Sequence, residues 1–226
     1  MNAGYLQDRE QALYGSDATG AAVVAGSLVS FGEGLSRQDR EDICLSNLYA
    51  QLATRSAYRD GLVGSSWFSY YKKKLQYLGW DSARPLEPGL AGEGSMAQSV
   101  SLQLSKSFDE RFAQPATESI GALERNPNAL EAFERASLQQ DSAFFQVIPC
   151  LPKSAGKIEL ALYHKQFSTR RTVSSFLFWP IEEVVQTSLE EMAVVTFSTL
   201  HYSTFRERVR ASVIAETTRN IHALEF

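Results

Sequence analysis

The chain has 226 residues, of which 44% are hydrophobic and 21% are charged. This composition is typical of a globular protein, and the length is sufficient for one domain with a full core. The 26 acidic and 22 basic side chains give a net charge of −4. No overall field therefore draws the chain to phosphate backbones or anionic lipid, and nucleic acid is excluded as the default partner.

The two cysteines, Cys44 and Cys150, are too few for a disulfide framework and have no second cysteine or histidine at metal-ligand spacing. We predict no metal site, and no cofactor, because phosphate-binding loops and a dinucleotide fingerprint are absent. Residues 1–11 mix acidic and basic side chains and lack the apolar segment of a Sec signal. The expected location is cytoplasmic, or secreted without a Sec signal peptide.

An apolar run of small side chains covers residues 20–31 and is too short to span a bilayer. One interpretation is a strand or arm buried in its own subunit. The other is an arm that docks on a neighbouring subunit, which predicts a dimer. We divide the chain into an N-terminal arm or flexible segment over residues 1–35 and a single α+β domain over residues 36–226.

Two amphipathic helices are predicted next. Ser36 is a suitable N-cap, and Leu45, Leu48 and Leu52 fall three and four apart, which indicates a helix over residues 38–58. In a second helix that starts at Ser65 or Ser66, apolar side chains recur at helical spacing up to a stop at Gly79. These side chains are Trp67, Tyr71, Leu75 and Leu78.

The middle of the chain predicts one strand and two short helices. Val100, Leu102 and Leu104 alternate with polar residues, as in a strand with one solvent-facing side. The first helix is expected to open at Pro115, and the second at Asn126 with proline in the first helical position.

Four strand-like runs follow, at residues 144–148, 158–162, 173–179 and 192–197. The third is apolar on both faces and is predicted as the central strand, and the fourth as the last strand. Two of the three connections between these strands are too short to contain a crossover helix, so the sheet is expected to be largely antiparallel. Phe205, Val209 and Val213 then indicate a helix that continues to the last residue. The predicted fold is α+β, with a largely antiparallel sheet packed between the N-terminal helical pair and the long C-terminal helix.

Several segments together resemble a family of uncharacterised bacterial and fungal proteins. The resemblance covers scattered blocks from about Asp39 to the C-terminus and implies a single domain, with no known activity and no catalytic residue. Its blocks are Leu45-Ser46-Asn47-Leu48-Tyr49-Ala50-Gln51-Leu52-Ala53, Trp67…Tyr71…Leu75…Gly79-Trp80, Phe145-Gln146-Val147-Ile148-Pro149-Cys150, Phe176-Leu177-Phe178 and Tyr202-x-x-Phe205-Arg206-x-x-Val209.

Binding residues are predicted on the second helix, where Lys72, Lys73 and Lys74 form a run of three like charges. Such a run usually only solvates a helix, and the alternative is a receptor for phosphate head groups or an acidic partner. Trp67 and Trp80 are the aromatic candidates for the same surface.

Catalytic candidates are few. Cys150 and His164 are the one nucleophile and base that adjacent strands of the predicted sheet would bring close. The acidic pairs Glu182-Glu183 and Glu190-Glu191 are the candidates for a two-carboxylate site. The main hypothesis is a non-enzymatic binding or assembly protein that contacts a protein partner, or itself, through an aromatic-rich surface. The alternatives are a bacterial toxin or effector that associates with membranes, and a hydrolase that uses Cys150 and His164.

Overall fold

The computed structural model describes residues 20–58, 65–88, 94–139, 142–169, 176–178 and 184–225. The strands within these residues are β1 (Ala21–Val24), β2 (Ser27–Phe31), β3 (Trp80–Leu86), β4 (Leu138–Gln139), β5 (Ser142–Ser154), β6 (Lys157–Thr169), β7 (Val184–Ser198) and β8 (Ile221–Leu224). They form an eight-stranded sheet with the order β3-β7-β6-β5-β2-β1-β8, and β4 pairs with β5. All neighbours are antiparallel except β2 and β5. The predicted α+β class with a largely antiparallel sheet is confirmed.

Residues 21–31 are inner strands of this sheet. Strand β1 lies between β2 and β8, and β2 runs parallel to β5, with Phe31 opposite Cys150. Every residue of both strands is buried. The run lacks alternation because both of its faces are covered, as in buried parallel strands. Residues 21–31 of the predicted arm are therefore part of the sheet, and residues 1–19 lie outside the described residues.

The helices begin largely where the capping residues predict. Ser36 caps the first helix in a reciprocal capping box with Asp39, and Asn126 caps a helix with Pro127 in its first turn. Gly79 ends the second helix with a φ of +94°, a conformation that favours glycine. The helices are α1 (Arg37–Ala57), α2 (Ser65–Tyr77), α3 (Met96–Ser107), α4 (Glu110–Glu124), α5 (Pro127–Ser137), α6 (Thr199–Ser203) and α7 (Arg206–Asn220).

The strand predicted around Val100 is wrong, because these residues belong to α3. Ser95 and Gln98 form a capping box, and the buried Met96, Val100 and Leu104 recur every four residues. Leu102 is exposed on the other side of the helix. The three apolar residues Val100, Leu102 and Leu104 are too few to distinguish the two-residue period of a strand from the 3.6-residue period of a helix.

Helix α4 also starts earlier than predicted, at an N-cap formed by Asp109. Pro115 lies inside the helix, in its second turn. Pro115 has no N–H to donate to the carbonyl four residues earlier. The N-cap at Asp109 stabilises the first turn of the helix without that hydrogen bond.

The central strand predicted over residues 173–179 is wrong for its described part. Phe176–Phe178 is a turn of 3-10 helix, and residues 173–175 and 179 lie outside the described residues. Phe176 and Leu177 are buried because they pack into an aromatic cluster with Phe133, Phe145 and Phe167. This segment is buried because it packs against the sheet, although it is not a strand of that sheet.

The C-terminal helix does not continue to the last residue. Helix α7 ends at Asn220, and β8 returns to the sheet beside β1. The strand predicted over residues 192–197 is therefore not the last one, and it forms part of the longer β7.

Helices cover the sheet on two faces, which we call the first and the second face. Core residues of α1, α2 and α7 pack on the first face, and those of α3, α4 and α5 pack on the second. The C-terminal helix thus lies on the same face as the N-terminal pair, contrary to the predicted sandwich. Its place is fixed by ion pairs from Arg206 to Asp42 and from Arg210 to Glu41 on α1.

Candidate functional site

The structure does not bring Cys150 and His164 together. Both side chains belong to the first face, but Cys150 on β5 pairs with Leu160 on β6, whereas His164 pairs with Gln146. Leu160 and His164 are four residues apart, which at roughly 3.3 Å per residue separates the two groups by about 13 Å along the sheet. The predicted nucleophile and base therefore share no site.

Neither cysteine has the environment of a nucleophile. Burial raises the pKa of the Cys150 thiol well above its ordinary value, and it raises the pKa of Cys44 as well. The Cys150 Sγ atom lies 3.3 Å from the carbonyl oxygen of Ile148, to which it donates. Because a reactive cysteine needs a stabilised thiolate, both thiols are inert core groups.

We therefore expect no reaction of the native protein with an aromatic disulfide reagent at neutral pH. Both thiols are fully buried, so labelling must wait for the chain to open. The measurement is absorbance of the released thiolate, first in buffer and then in guanidinium, where both cysteines should react at once. Rapid labelling of Cys150 in buffer would show that the core around β5 is open.

His164 belongs to a buried polar network between the sheet and α1. Gln146 donates from Nε2 to His164 Nδ1 at 3.0 Å and accepts from Ser27 Oγ at 2.8 Å. Gln51 on α1 continues the network, since its Nε2 donates to Ser27 Oγ at 3.1 Å and to Asn47 Oδ1 at 3.0 Å. Nδ1 of His164 is an acceptor here, so the neutral ring carries its proton on Nε2.

The surroundings of His164 oppose a positive charge. Its ring stacks on Phe68 with 3.8 Å between centroids, and Nε2 has no hydrogen-bond partner among the described residues. Burial, with a further contribution from the charge of Lys72, lowers the pKa of His164 to about 3. The imidazole is therefore a neutral structural group at physiological pH.

This low pKa predicts acid sensitivity of the fold. Between pH 6.5 and about 3 the unfolded chain binds a proton at His164 that the folded chain does not, so stability is lost as pH falls. We expect about 1.4 kcal/mol per pH unit from this group below pH 6.5. Urea midpoints at neutral and mildly acidic pH measure it in wild type and His164→Gln. Equal pH slopes in the two proteins would contradict the assignment.

The carboxylate pairs form no cleft. Adjacent residues of a strand point to opposite faces, and Glu190 accepts from Tyr163 Oη at 2.6 Å while Glu191 forms an ion pair with Lys72. Lys165 lies 3.5 Å from Glu190 and is buried beside it. Residues 182 and 183 lie outside the described residues. A two-carboxylate mechanism is therefore not supported at residues 190 and 191.

The predicted tryptophans lie in the core. Trp80 Nε1 donates to Ser46 Oγ at 3.0 Å, and Trp67 packs on Phe144 and Tyr71 with centroid distances of 4.4 and 5.4 Å. Both side chains are almost fully buried. They anchor α2 and β3 to the first face, and neither is available to a partner.

The three lysines have three different environments. Lys72 forms its ion pair with Glu191 and lies over the Phe68 ring, 4.6 Å from the centroid. Lys74 lies 4.9 Å from the centroid of the Tyr70 ring, and Lys73 is exposed. Lys73 is therefore exposed to solvent and Lys74 is half-buried beside Tyr70, while Lys72 is held against the sheet.

Tyrosines accompany Lys73 and Lys74. Tyr70, Lys73, Lys74 and Tyr77 are spaced three, four and seven apart, so they share the outer side of α2. Tyr77 is 54% exposed. Helix α2 contains three lysines and no acidic residue, so this side carries uncompensated positive charge within the helix.

The start of α7 extends the same surface. The Phe205 ring lies 4.8 Å from Tyr77, and Arg208 contacts both, with Nη2 at 3.4 Å from Tyr77 Oη and its guanidinium 5.8 Å from the Phe205 centroid. His201 on α6 packs on Phe205 with 5.3 Å between ring centroids, and its chain neighbour Leu200 is 78% exposed. We call this surface the aromatic–basic stripe, and it consists of Tyr70, Lys73, Lys74, Tyr77, Phe205 and Arg208, with Leu200 at its edge in the chain.

The cations of the stripe have no acidic partners in the part of the chain that the structure describes. The ion pairs found there involve neither Lys73, Lys74 nor Arg208. Lys74 and Arg208 lie over aromatic rings, and Arg208 also contacts the Tyr77 hydroxyl. These groups attract a cation without neutralising it. The stripe is therefore a local positive surface on an acidic protein.

Clefts beside the stripe are small. A groove between α2 and strands β3, β6 and β7 has a volume of about 30 Å³, and one between α1, α2 and α7 has about 20 Å³. Each has room for one or two water molecules, whereas sites for small organic ligands have roughly 300–1,000 Å³. Neither groove is a substrate pocket.

The described residues form neither a metal-binding cluster nor a membrane-spanning helix. The described parts of the chain contain no cluster of three His, Cys, Asp or Glu side chains that could hold a metal ion. None of the described helices is both long and apolar enough to cross a bilayer.

Comparison with known proteins gives little further information. No protein-family profile and no curated protein sequence matches the chain. Among solved structures, the Evf virulence factor is similar with a TM-score of 0.37 and 13% identity, over 95% of this chain and 89% of that one. The resemblance to uncharacterised bacterial and fungal proteins stays a prediction.

Proposed function

We propose that the protein is a non-enzymatic binding protein that docks an anionic partner through the aromatic–basic stripe. The observation that carries this proposal is that three cations without ion pairs share one surface with the exposed Tyr77 and the half-buried Tyr70 and Phe205. Tyrosine and arginine are the residues that most often dominate binding energy at protein interfaces. This function agrees with the main hypothesis from the sequence but uses tyrosines in place of Trp67 and Trp80.

Retention on a sulfonate cation-exchange resin at neutral pH tests this function. A protein with a net charge of −4 should pass through unless its positive charges are clustered, so wild type should be retained. The variant Lys73→Glu/Lys74→Glu/Arg208→Glu should elute at lower salt or flow through.

A matched control changes the same number of charges elsewhere. The side chains of Lys106, Lys153 and Lys157 are exposed and lie outside the stripe, so their triple change to glutamate has the same effect on net charge. This control should lose less retention than the stripe variant. Wild type in the flow-through, or equal loss in the two variants, would contradict the proposal.

Self-association is a separate prediction. Residues 21–31 are enclosed in their own sheet, so they are not free to form the arm contact first considered. A dimer through the stripe would bring like charges together, which opposes association. We therefore expect no dimer through the stripe. Light scattering of wild type and of the stripe variant tests this, because the three substitutions would change the mass only of a dimer formed through the stripe.

A further inference from the structure

We propose that the anionic partner of the aromatic–basic stripe is the surface of a lipid bilayer with anionic head groups. This inference rests on the proposed function and adds the class of partner. The stripe would lie on the head groups as a peripheral contact, with Lys73, Lys74 and Arg208 at the phosphates and Leu200 at the start of the acyl region.

The shape of the surface favours a planar partner. The α2 part of the stripe lies on the outer side of that helix, and the groove that Tyr77, Phe205 and Arg208 line within the stripe holds only about 20 Å³. A peptide partner would need a groove for its anchoring side chains, as helix-binding and polyproline-binding domains have. A bilayer surface needs no groove, because it accepts protruding side chains.

The arrangement of side chains is the one that suits a membrane interface. Leu200 is the most exposed of the large apolar side chains in the described residues, at 78%, and Tyr77 follows at 54%. Tyrosine rings favour the head-group level, and lysine stems extend so that the ammonium groups remain at the phosphates. An apolar tip beside tyrosine and three cations therefore gains both apolar burial and charge attraction.

The negative net charge does not prevent such a contact. Attraction between the surface and the protein is limited to about the Debye length, roughly 8 Å at physiological ionic strength, so the charges nearest the bilayer dominate. Glu207 is exposed next to Arg208 on α7 and opposes the contact. Glu207→Gln should therefore increase binding to anionic vesicles.

Co-sedimentation with vesicles tests the inference. Vesicles of phosphatidylcholine alone are compared with vesicles that contain phosphatidylserine, at low and high salt. We expect wild type to bind only the anionic vesicles, with loss at high salt. The Lys73→Glu/Lys74→Glu/Arg208→Glu variant should bind at least about 100-fold less tightly, since each basic side chain near the surface contributes roughly a factor of five.

Leucine variants separate a lipid surface from other anions. Leu200→Ser should reduce vesicle binding about tenfold through loss of apolar burial, yet leave retention on the sulfonate resin unchanged. Leu102→Ser is the matched control, because Leu102 is 37% exposed on α3, on the other face of the sheet. It should bind vesicles as wild type does.

The outcomes distinguish the inference from the proposed function. Retention on the resin without binding to anionic vesicles would overturn the lipid inference and leave the binding function in place. Tighter binding of soluble poly-glutamate than of vesicles would also overturn it and favour an acidic protein segment. Failure on resin and vesicles together would overturn both proposals. Binding to vesicles with no effect of Leu200→Ser would contradict insertion of this side chain.

Discussion

Val209→Asp is expected to lower the free energy of unfolding by about 3–5 kcal/mol, which is a large fraction of the stability of an ordinary domain. Val209 lies on α7, is 3% exposed and belongs to the core of the first face. The substitution places a carboxylate among apolar side chains, where most of its hydration is lost. Urea denaturation followed by circular dichroism measures the change.

Ile214→Asp on the same helix is the matched control. Ile214 is 47% exposed, so an aspartate there remains in water and should change stability by no more than about 0.5 kcal/mol. Equal unfolding midpoints for the two variants would show that α7 does not bury the Val209 side.

Arg206→Ala is expected to cost about 3 kcal/mol, because it leaves a buried carboxylate without its cation. Asp42 on α1 is fully buried and accepts from Arg206 Nε at 2.8 Å and Nη2 at 2.6 Å. Burial raises the pKa of Asp42, and Arg206 opposes that rise. In the variant the carboxyl should therefore take up a proton more readily, so part of the lost stability should return as pH falls.

Arg219→Ala provides the comparison for this pair. Arg219 and its partner Glu216 are exposed, and such pairs contribute at most about 1 kcal/mol. Thermal unfolding of the two alanine variants should differ clearly, and Asp42→Asn in the Arg206→Ala background should restore stability. A neutral effect of Arg206→Ala would mean that α7 is not held to α1 by this contact.

Local signals predicted most of the elements. The capping box at Ser36, the proline after Asn126 and the alternation of Ile158, Leu160 and Leu162 all depend on a few neighbouring residues, and each marks a helix or strand of the structure. Each of these patterns spans only a few neighbouring residues. They need no knowledge of what packs against them.

Elements that depend on tertiary packing were not predictable in the same way. Phe176 and Leu177 are as apolar as a central strand, but they fill a gap among aromatic rings on the second face. Helix α7 has charged residues on much of its surface, and the ion pairs that place it on the first face join residues 164 and 169 positions apart. No local pattern specifies these long-range contacts.

The candidate site was predicted in part. The lysine run was identified, and within it Lys73 is exposed and Lys74 is half-buried. The aromatic members were assigned to Trp67 and Trp80, which are core residues, because a tryptophan at helical spacing suits a core and a surface equally. The signal for Tyr70 and Tyr77 is their spacing of seven residues around the lysines. The contribution of Phe205 and Arg208 comes from a distant helix and required the structure.

Lysine footprinting tests the central claim most directly. Acetylation by an amine-reactive reagent, read by mass spectrometry, is compared with and without vesicles that contain phosphatidylserine. The stripe predicts protection of Lys73 and Lys74, while Lys106, exposed on the opposite side of the sheet, remains as reactive as in buffer. Equal modification of all three lysines in both conditions, with the protein bound to the vesicles, would contradict the assignment of this surface.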